Sequence, residues 1–212
     1  PAEDTPAVEV DESTDRDGNG IADTTYTFVA GDTVRFEAFE RKRYNQFSFL
    51  STAIFTDVSN VGLKANGTII IPNNVSLFTV NAKLLSDENI KNSVYVRVLQ
   101  EISYSITTDG ADYASDRKAV QETPFSFEFS AAPGFGSDPD MVRITTNNTT
   151  IDLHGSELYY STTESYTTTI NGCIVKFDHH TGTYYVTIPS SIMSSSVTSL
   201  SITLKFPVVY SI

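Results

Sequence analysis

The sequence predicts an all-β protein, an antiparallel β-sandwich of jelly-roll type preceded by an extended N-terminal arm. Three observations carry that expectation. Short apolar runs alternate with a period of two, turn residues separate them at spacings of about 8–12 residues, and no stretch has the periodicity of a sustained amphipathic helix. Composition agrees. Ser and Thr make up roughly a quarter of the 212 residues, and 13 Phe and 11 Tyr stand beside no Trp, a mix suited to pleated, half-buried strands.

Taken in order, residues 1–14 are acidic, contain proline and lack periodicity, which reads as an extended arm whose ordering would imply contact with another surface. The expected division is an acidic arm over 1–23, carrying a candidate calcium loop, and a sandwich over 24–212. Segments 25–29 and 33–39 alternate as strands around the turn Ala30-Gly31-Asp32. Strands at 47–50 and 53–55 follow, then the tight turn Ala65-Asn66-Gly67 into a strand at 68–71. Pro72-Asn73-Asn74 ends that strand, and 75–85 is a long alternating one. Segment 94–98 alternates again and runs on toward Ile106, whereas 108–120 is polar and reads as a loop with one helical turn. Residues 125–129 form a clean period-two strand. The cluster over 132–139 is the strongest breaker, so a two-domain chain would divide there.

Shorter strands are expected at 142–145, 150–153, 158–161 and 166–170, with Asn171-Gly172 turning into 174–177. Strands at 184–188 and 200–206 lead to an apolar end over 206–212 that is costly to expose. Segments 67–75 and 184–192 echo one another, each a strand, a proline, two small polar residues and an aliphatic residue, as if one hairpin recurred in two half-sheets.

Charge narrows the function classes. The chain carries 26 acids, 14 bases and a net charge of −12, so phosphate backbones and anionic headgroups are repelled and no nucleic-acid partner is expected. No apolar run is long enough to span a bilayer as a helix, so no membrane insertion is expected. A single cysteine, Cys173, excludes an intrachain disulfide, which leaves stability to the core or to assembly.

The best chemical motif is Asp15-Arg16-Asp17-Gly18-Asn19-Gly20-Ile21-Ala22-Asp23. Side-chain oxygens at positions one, three, five and nine, a carbonyl at seven and glycine at six fit the first part of a calcium loop. The candidate ligands are therefore Asp15, Asp17, Asn19, Ile21 (through its carbonyl) and Asp23, with calcium as the cofactor. Tyr26 stands where an EF-hand has its bidentate glutamate, and the motif resembles instead the short Asp-rich calcium repeats of extracellular bacterial proteins. An acidic turn without an ion is the competing interpretation. Cys173, His154, Asp178, His179 and His180 are the other metal or nucleophile candidates, but they lack paired zinc spacings and an orienting group. No phosphate loop or nucleophile elbow is present, and no enzyme is expected, with no catalytic and no cofactor-binding residue assigned.

The run Asn66-Gly67-Thr68-Ile69-Ile70-Ile71-Pro72-Asn73-Asn74-Val75, continuing to Ala82, resembles the trimeric jelly-roll heads of phage fibre and virion proteins. These heads are similar in fold to tumour-necrosis-factor-like and complement-type domains. The resemblance implies a virion structural protein: a capsid, decoration, spike or fibre component, forming a homo-oligomer (a trimer) with other virion proteins and a host-surface ligand. The alternative is a secreted or cell-surface bacterial module that binds its ligand in a calcium-dependent way, with Tyr159, Tyr160, Tyr184 and Tyr185 as sugar-stacking candidates that as strand neighbours divide between core and surface.

Overall fold

The computed structural model describes residues 9–20, 22–41, 47–50, 53–87, 89, 91–115, 118–153 and 164–209. Every regular element among them is a strand, and the chain divides into two compact units, Pro1–Gln100 and Glu101–Ile212.

The first unit contains β1 (Glu9–Thr14), β2 (Asp23–Val29), β3 (Thr33–Arg35), β4 (Phe39–Arg41), β5 (Phe47–Phe49), β6 (Ala53–Asp57), β7 (Thr68–Ile70), β8 (Leu77–Leu84) and β9 (Lys91–Leu99). Its main sheet has the order β1-β2-β9-β8-β6, while β3 pairs with β7 and β4 with β5. The strands form because alternate side chains share one apolar face: Phe78 and Val80 in β8, and Val96 and Val98 in β9, are buried against Phe28, Phe55, Ile69 and Ile71. β6, β8 and β9 of the main sheet pack on the β3–β7 pair around this one core, with β2 beside β9.

The second unit contains β10 (Glu101–Asp109), β11 (Ala111–Ala114), β12 (Ala119–Val120), β13 (Phe125–Ala131), β14 (Met141–Thr146), β15 (Thr150–Asp152), β16 (Tyr166–Ile170), β17 (Cys173–Asp178), β18 (Thr183–Ile188) and β19 (Ser199–Lys205). Two five-stranded sheets, β12-β10-β19-β14-β15 and β11-β13-β18-β17-β16, enclose its core. One row of that core crosses four strands. Phe129 pairs with Tyr184, Tyr184 with Phe177 and Phe177 with Tyr166, their rings 5.1, 4.6 and 5.6 Å apart in that order. Rings at these separations add to area burial through their quadrupoles.

The sandwich expectation is met, with differences that have physical causes. Pairing is antiparallel except at β2–β9 and β10–β19, so each unit places a strand from its start parallel to the strand that ends it. Residues 9–14, expected in the arm, are instead β1, whose backbone pairs with β2 from Glu9 opposite Thr27 to Thr14 opposite Asp23. Main-chain hydrogen bonds do not need an apolar face, and the acids of β1 charge an edge that would otherwise recruit other strands.

The run expected to continue from 94 to 106 breaks at Gln100, where the chain changes unit. The breaker cluster over 132–139 lies inside the second unit. The Ala132 N–H donates to the Gly110 carbonyl, Gly136 to Pro207 and Asp140 to Lys205. Glycine and proline make tight turns within a domain as readily as they make linkers, which is why the cluster misplaced the boundary.

The polar stretch 108–120, expected as a loop, holds β11 and β12, because Tyr113 pairs with Phe129 and Ala119 is fully buried. The run expected over 33–39 is interrupted: β3 ends at Arg35, and β4 begins at Phe39, which pairs with Phe49. At the C-terminal end Phe206 is buried, but Val208 and Val209 are exposed, Val208 bridging to Phe135. The echoing segments 67–75 and 184–192 are not hairpins. β7 ends at Ile70, two residues before Pro72, and β18 at Ile188, directly before Pro189, and in both places the chain leaves one sheet for another. The strand expected at 158–161 lies outside the described residues.

Candidate metal centre

The β1–β2 pairing decides the geometry of the acidic loop. With Thr14 opposite Asp23, the segment between them closes as a hairpin and brings its two ends together. Gly18 and Gly20 both take positive φ, 76° and 84°, which turns the chain around the carboxylate of Asp15. That carboxylate accepts from the backbone N–H groups of Gly20 at 2.7 Å, Gly18 at 2.8 Å and Asn19 at 3.2 Å. Asp17 accepts from the Asn19 backbone N–H at 3.0 Å and from its side-chain amide at 2.9 Å. The Arg16 N–H donates to Asp23 at 2.9 Å.

Each of Asp15, Asp17 and Asp23 thereby offers a carboxylate oxygen within 4.8 Å of the others. The N–H groups, Gly20 foremost, hold the Asp15 carboxyl below its ordinary value, against the opposing effect of burial. Nearby, burial first and then the charges of Asp23 and Asp17 push the Tyr95 hydroxyl up. Arg16, the base within the loop, directs its Nε to the Thr25 hydroxyl at 2.8 Å and stacks over Tyr95 at 6.0 Å.

Of the five candidate ligands, Asp15, Asp17 and Asp23 converge, and Asn19 is tied to Asp17. Ile21 lies outside the described residues. Tyr26 is no substitute for a twelfth-position carboxylate. It belongs to β2, its ring beside Phe28 at 6.4 Å and Phe36 at 6.5 Å. Asp11 is committed elsewhere, its carboxylate pulled down to about 2 by the hydroxyl and N–H of Ser13 and by Thr14. An all-oxygen donor set suits a hard cation such as calcium rather than zinc. The roles of Arg16, Thr25 and Tyr95 have no signature in the sequence, since they depend on β9 lying beside β2.

The second set disperses. Cys173 opens β17 fully buried, and Asp178 closes it, about 16 Å away at the rise of an extended strand. His179 bonds the Ser165 hydroxyl through Nδ1 at 3.1 Å, and the His180 N–H donates to Asp178, which lowers that carboxyl. His154 lies outside the described residues. Burial pushes the Cys173 thiol up to about 11. A thiol reagent at mildly alkaline pH is therefore expected to label Cys173 only as fast as the second unit opens, and labelling of the native state at the rate of a free thiol would contradict its placement. Tyr184 is buried and Tyr185 is half-exposed, so this pair divides between core and surface as expected. Tyr159 and Tyr160 lie outside the described residues.

A scan against protein-family models matches none, and no curated protein matches the chain.

Proposed function

We propose that the chain is a non-catalytic surface module, extracellular or on a cell surface, in which a calcium ion at Asp15, Asp17, Asn19, Ile21 and Asp23 stiffens the start of the first sandwich for binding a protein or sugar partner. The observation that supports this most is the convergence of the three aspartates at the closure of the β1–β2 hairpin. Three like charges so close together repel, and a divalent cation turns that repulsion into attraction. A loop without the twelfth-position carboxylate binds weakly, which matches the calcium levels outside cells rather than inside them.

The test is unfolding of the protein with and without calcium. Calcium at a hundred times its dissociation constant is expected to raise stability by about 2.7 kcal/mol. Asp17→Asn and Asp23→Asn should each abolish most of the gain. Because the Asp15 carboxyl is depressed, any stability it contributes is present above the ordinary carboxylate range and lost as pH falls through its lowered value. The calcium gain should disappear in the same direction. Identical unfolding curves in millimolar calcium and in chelator would refute the cation role.

The resemblance across residues 66–82 favours a second reading, a virion structural part acting through assembly. Light scattering separates the two: a stable trimer supports the virion part, and a monomer with calcium-dependent melting supports the surface module.

A further inference from the structure

The smaller layer of the first unit is incomplete on one side. β3 and β7 are three residues long each, against eight and nine for β8 and β9, and β3 has β7 as its single neighbouring strand among the described residues. Along that pair the Phe36 N–H donates to the Gly67 carbonyl and the Ile71 N–H to the Asp32 carbonyl. Backbone groups alternate in direction along an antiparallel ladder, so those of Thr33 and Arg35 point away from β7. They have no backbone partner among the described residues.

A cleft of about 660 Å³ opens along residues 33–39, and the apolar face of the main sheet forms its floor. Tyr26, Val34, Phe36, Ala38, Ala82 and Val94 line it and pack against the first core, yet they are only half-buried. An open strand edge beside uncovered core side chains suits the addition of one more strand. The incoming main chain pairs with the edge, and every second side chain enters the cleft.

The same chain carries a segment of that kind. Past Phe206, which is 1% exposed, the sequence runs Pro207-Val208-Val209-Tyr210-Ser211-Ile212, and Val208 and Val209 are 52% and 57% exposed. None of the six carries a charged side chain, and four are β-branched or aromatic, the types that favour strands. In an extended strand Val208, Tyr210 and Ile212 share one apolar face, and six residues reach about 20 Å, twice the length of β3.

We propose that residues 207–212 of one copy add as a strand to the open edge of β3 in a second copy, with the Val208, Tyr210 and Ile212 face turned into the cleft. The contact joins two different surfaces, so it is heterologous and propagates head to tail. It does not involve the acidic loop, and its test is run in chelator, so its outcome is independent of the calcium reading.

Sedimentation velocity of the full chain is expected to show a mass that rises with concentration. Val208→Lys combined with Tyr210→Lys spoils the tail and leaves the cleft intact. Arg35→Pro spoils the acceptor, because it removes an N–H that β7 does not use, so the β3–β7 pair keeps its bonds while an added strand loses a donor. Each variant alone should associate at least about tenfold more weakly than the wild type. Mixed, one supplies the cleft and the other the tail, and they should form a one-to-one pair that grows no further. Ala82→Phe, which fills the cleft, replaces the proline variant if circular dichroism shows that variant to be unfolded. A wild type that stays monomeric up to about 1 mM, association indifferent to the tail variant, or a mixture that fails to pair would each overturn the proposal.

Discussion

Replacing Phe129 by alanine is expected to destabilise the second unit by about 3–5 kcal/mol, the largest effect of any single change considered for this protein. Phe129 is 2% exposed and joins both sheets of its unit: its ring lies 5.1 Å from Tyr184 and 5.9 Å from Phe127 in its own sheet, and 6.0 Å from Phe206, the residue that follows β19. Truncation therefore removes one end of the aromatic row and leaves a cavity that close-packed neighbours cannot fill without moving. Hydrogen exchange reports the outcome. Amides of β13, β17 and β18 should lose protection together, while those of β8 and β9, whose side chains belong to a separate core, should keep it. Tyr185→Ala, one position from the buried Tyr184 but itself 37% exposed, is the control and should change stability by about 0.5 kcal/mol or less. Comparable losses for the two variants would mean that the row contributes nothing special.

Gly67→Ala should destabilise the first unit by about 2–5 kcal/mol, from two additive causes. The backbone there has φ +86°, which an L-residue adopts at a cost, and a new Cβ would be driven into the Phe36 carbonyl oxygen and against the Phe55 ring. That carbonyl cannot retreat freely, because the Phe36 N–H donates to the Gly67 carbonyl at 2.9 Å and the Gly67 N–H donates to Lys64 at 2.8 Å. Gly31→Ala isolates the backbone cause. Its φ is +90°, yet nothing lies within 4 Å of the added carbon, so only about 1–2 kcal/mol should be lost. Urea midpoints for the two variants check the order, and a Gly31 variant as damaged as the Gly67 variant would remove the steric half of the argument.

The glycine turns were legible because turn chemistry is local. Asn66-Gly67 and Asn171-Gly172 are short-range signals, and Asn171 and Gly172 do take positive φ, 48° and 85°. The acidic loop was legible for the same reason: its oxygens are spaced along one short segment, and Asp15 folds that segment around itself. What supports the loop was not. Arg16 meets Tyr95 only because β9 runs parallel beside β2, a contact across nearly eighty positions of sequence. The apolar cleft left no trace in the pattern either. It arises where two layers of unequal length face one another, and period-two alternation says which side of a strand is apolar without saying what covers it.

By itself, then, the sequence determined the strand content, most of the turns and the acidic loop, since these follow from alternation and from the backbone freedom of a few glycines and asparagines. Only the tertiary structure decided that residues 9–14 pair as β1, that the units divide after Gln100 rather than near 132–139, and that Phe129, Tyr184, Phe177 and Tyr166 stand in one row. The physical reason is register. Backbone hydrogen bonds are the same for every residue except proline, so the choice of neighbouring strand is made by how whole faces pack, and that is a property of the folded chain rather than of any one segment.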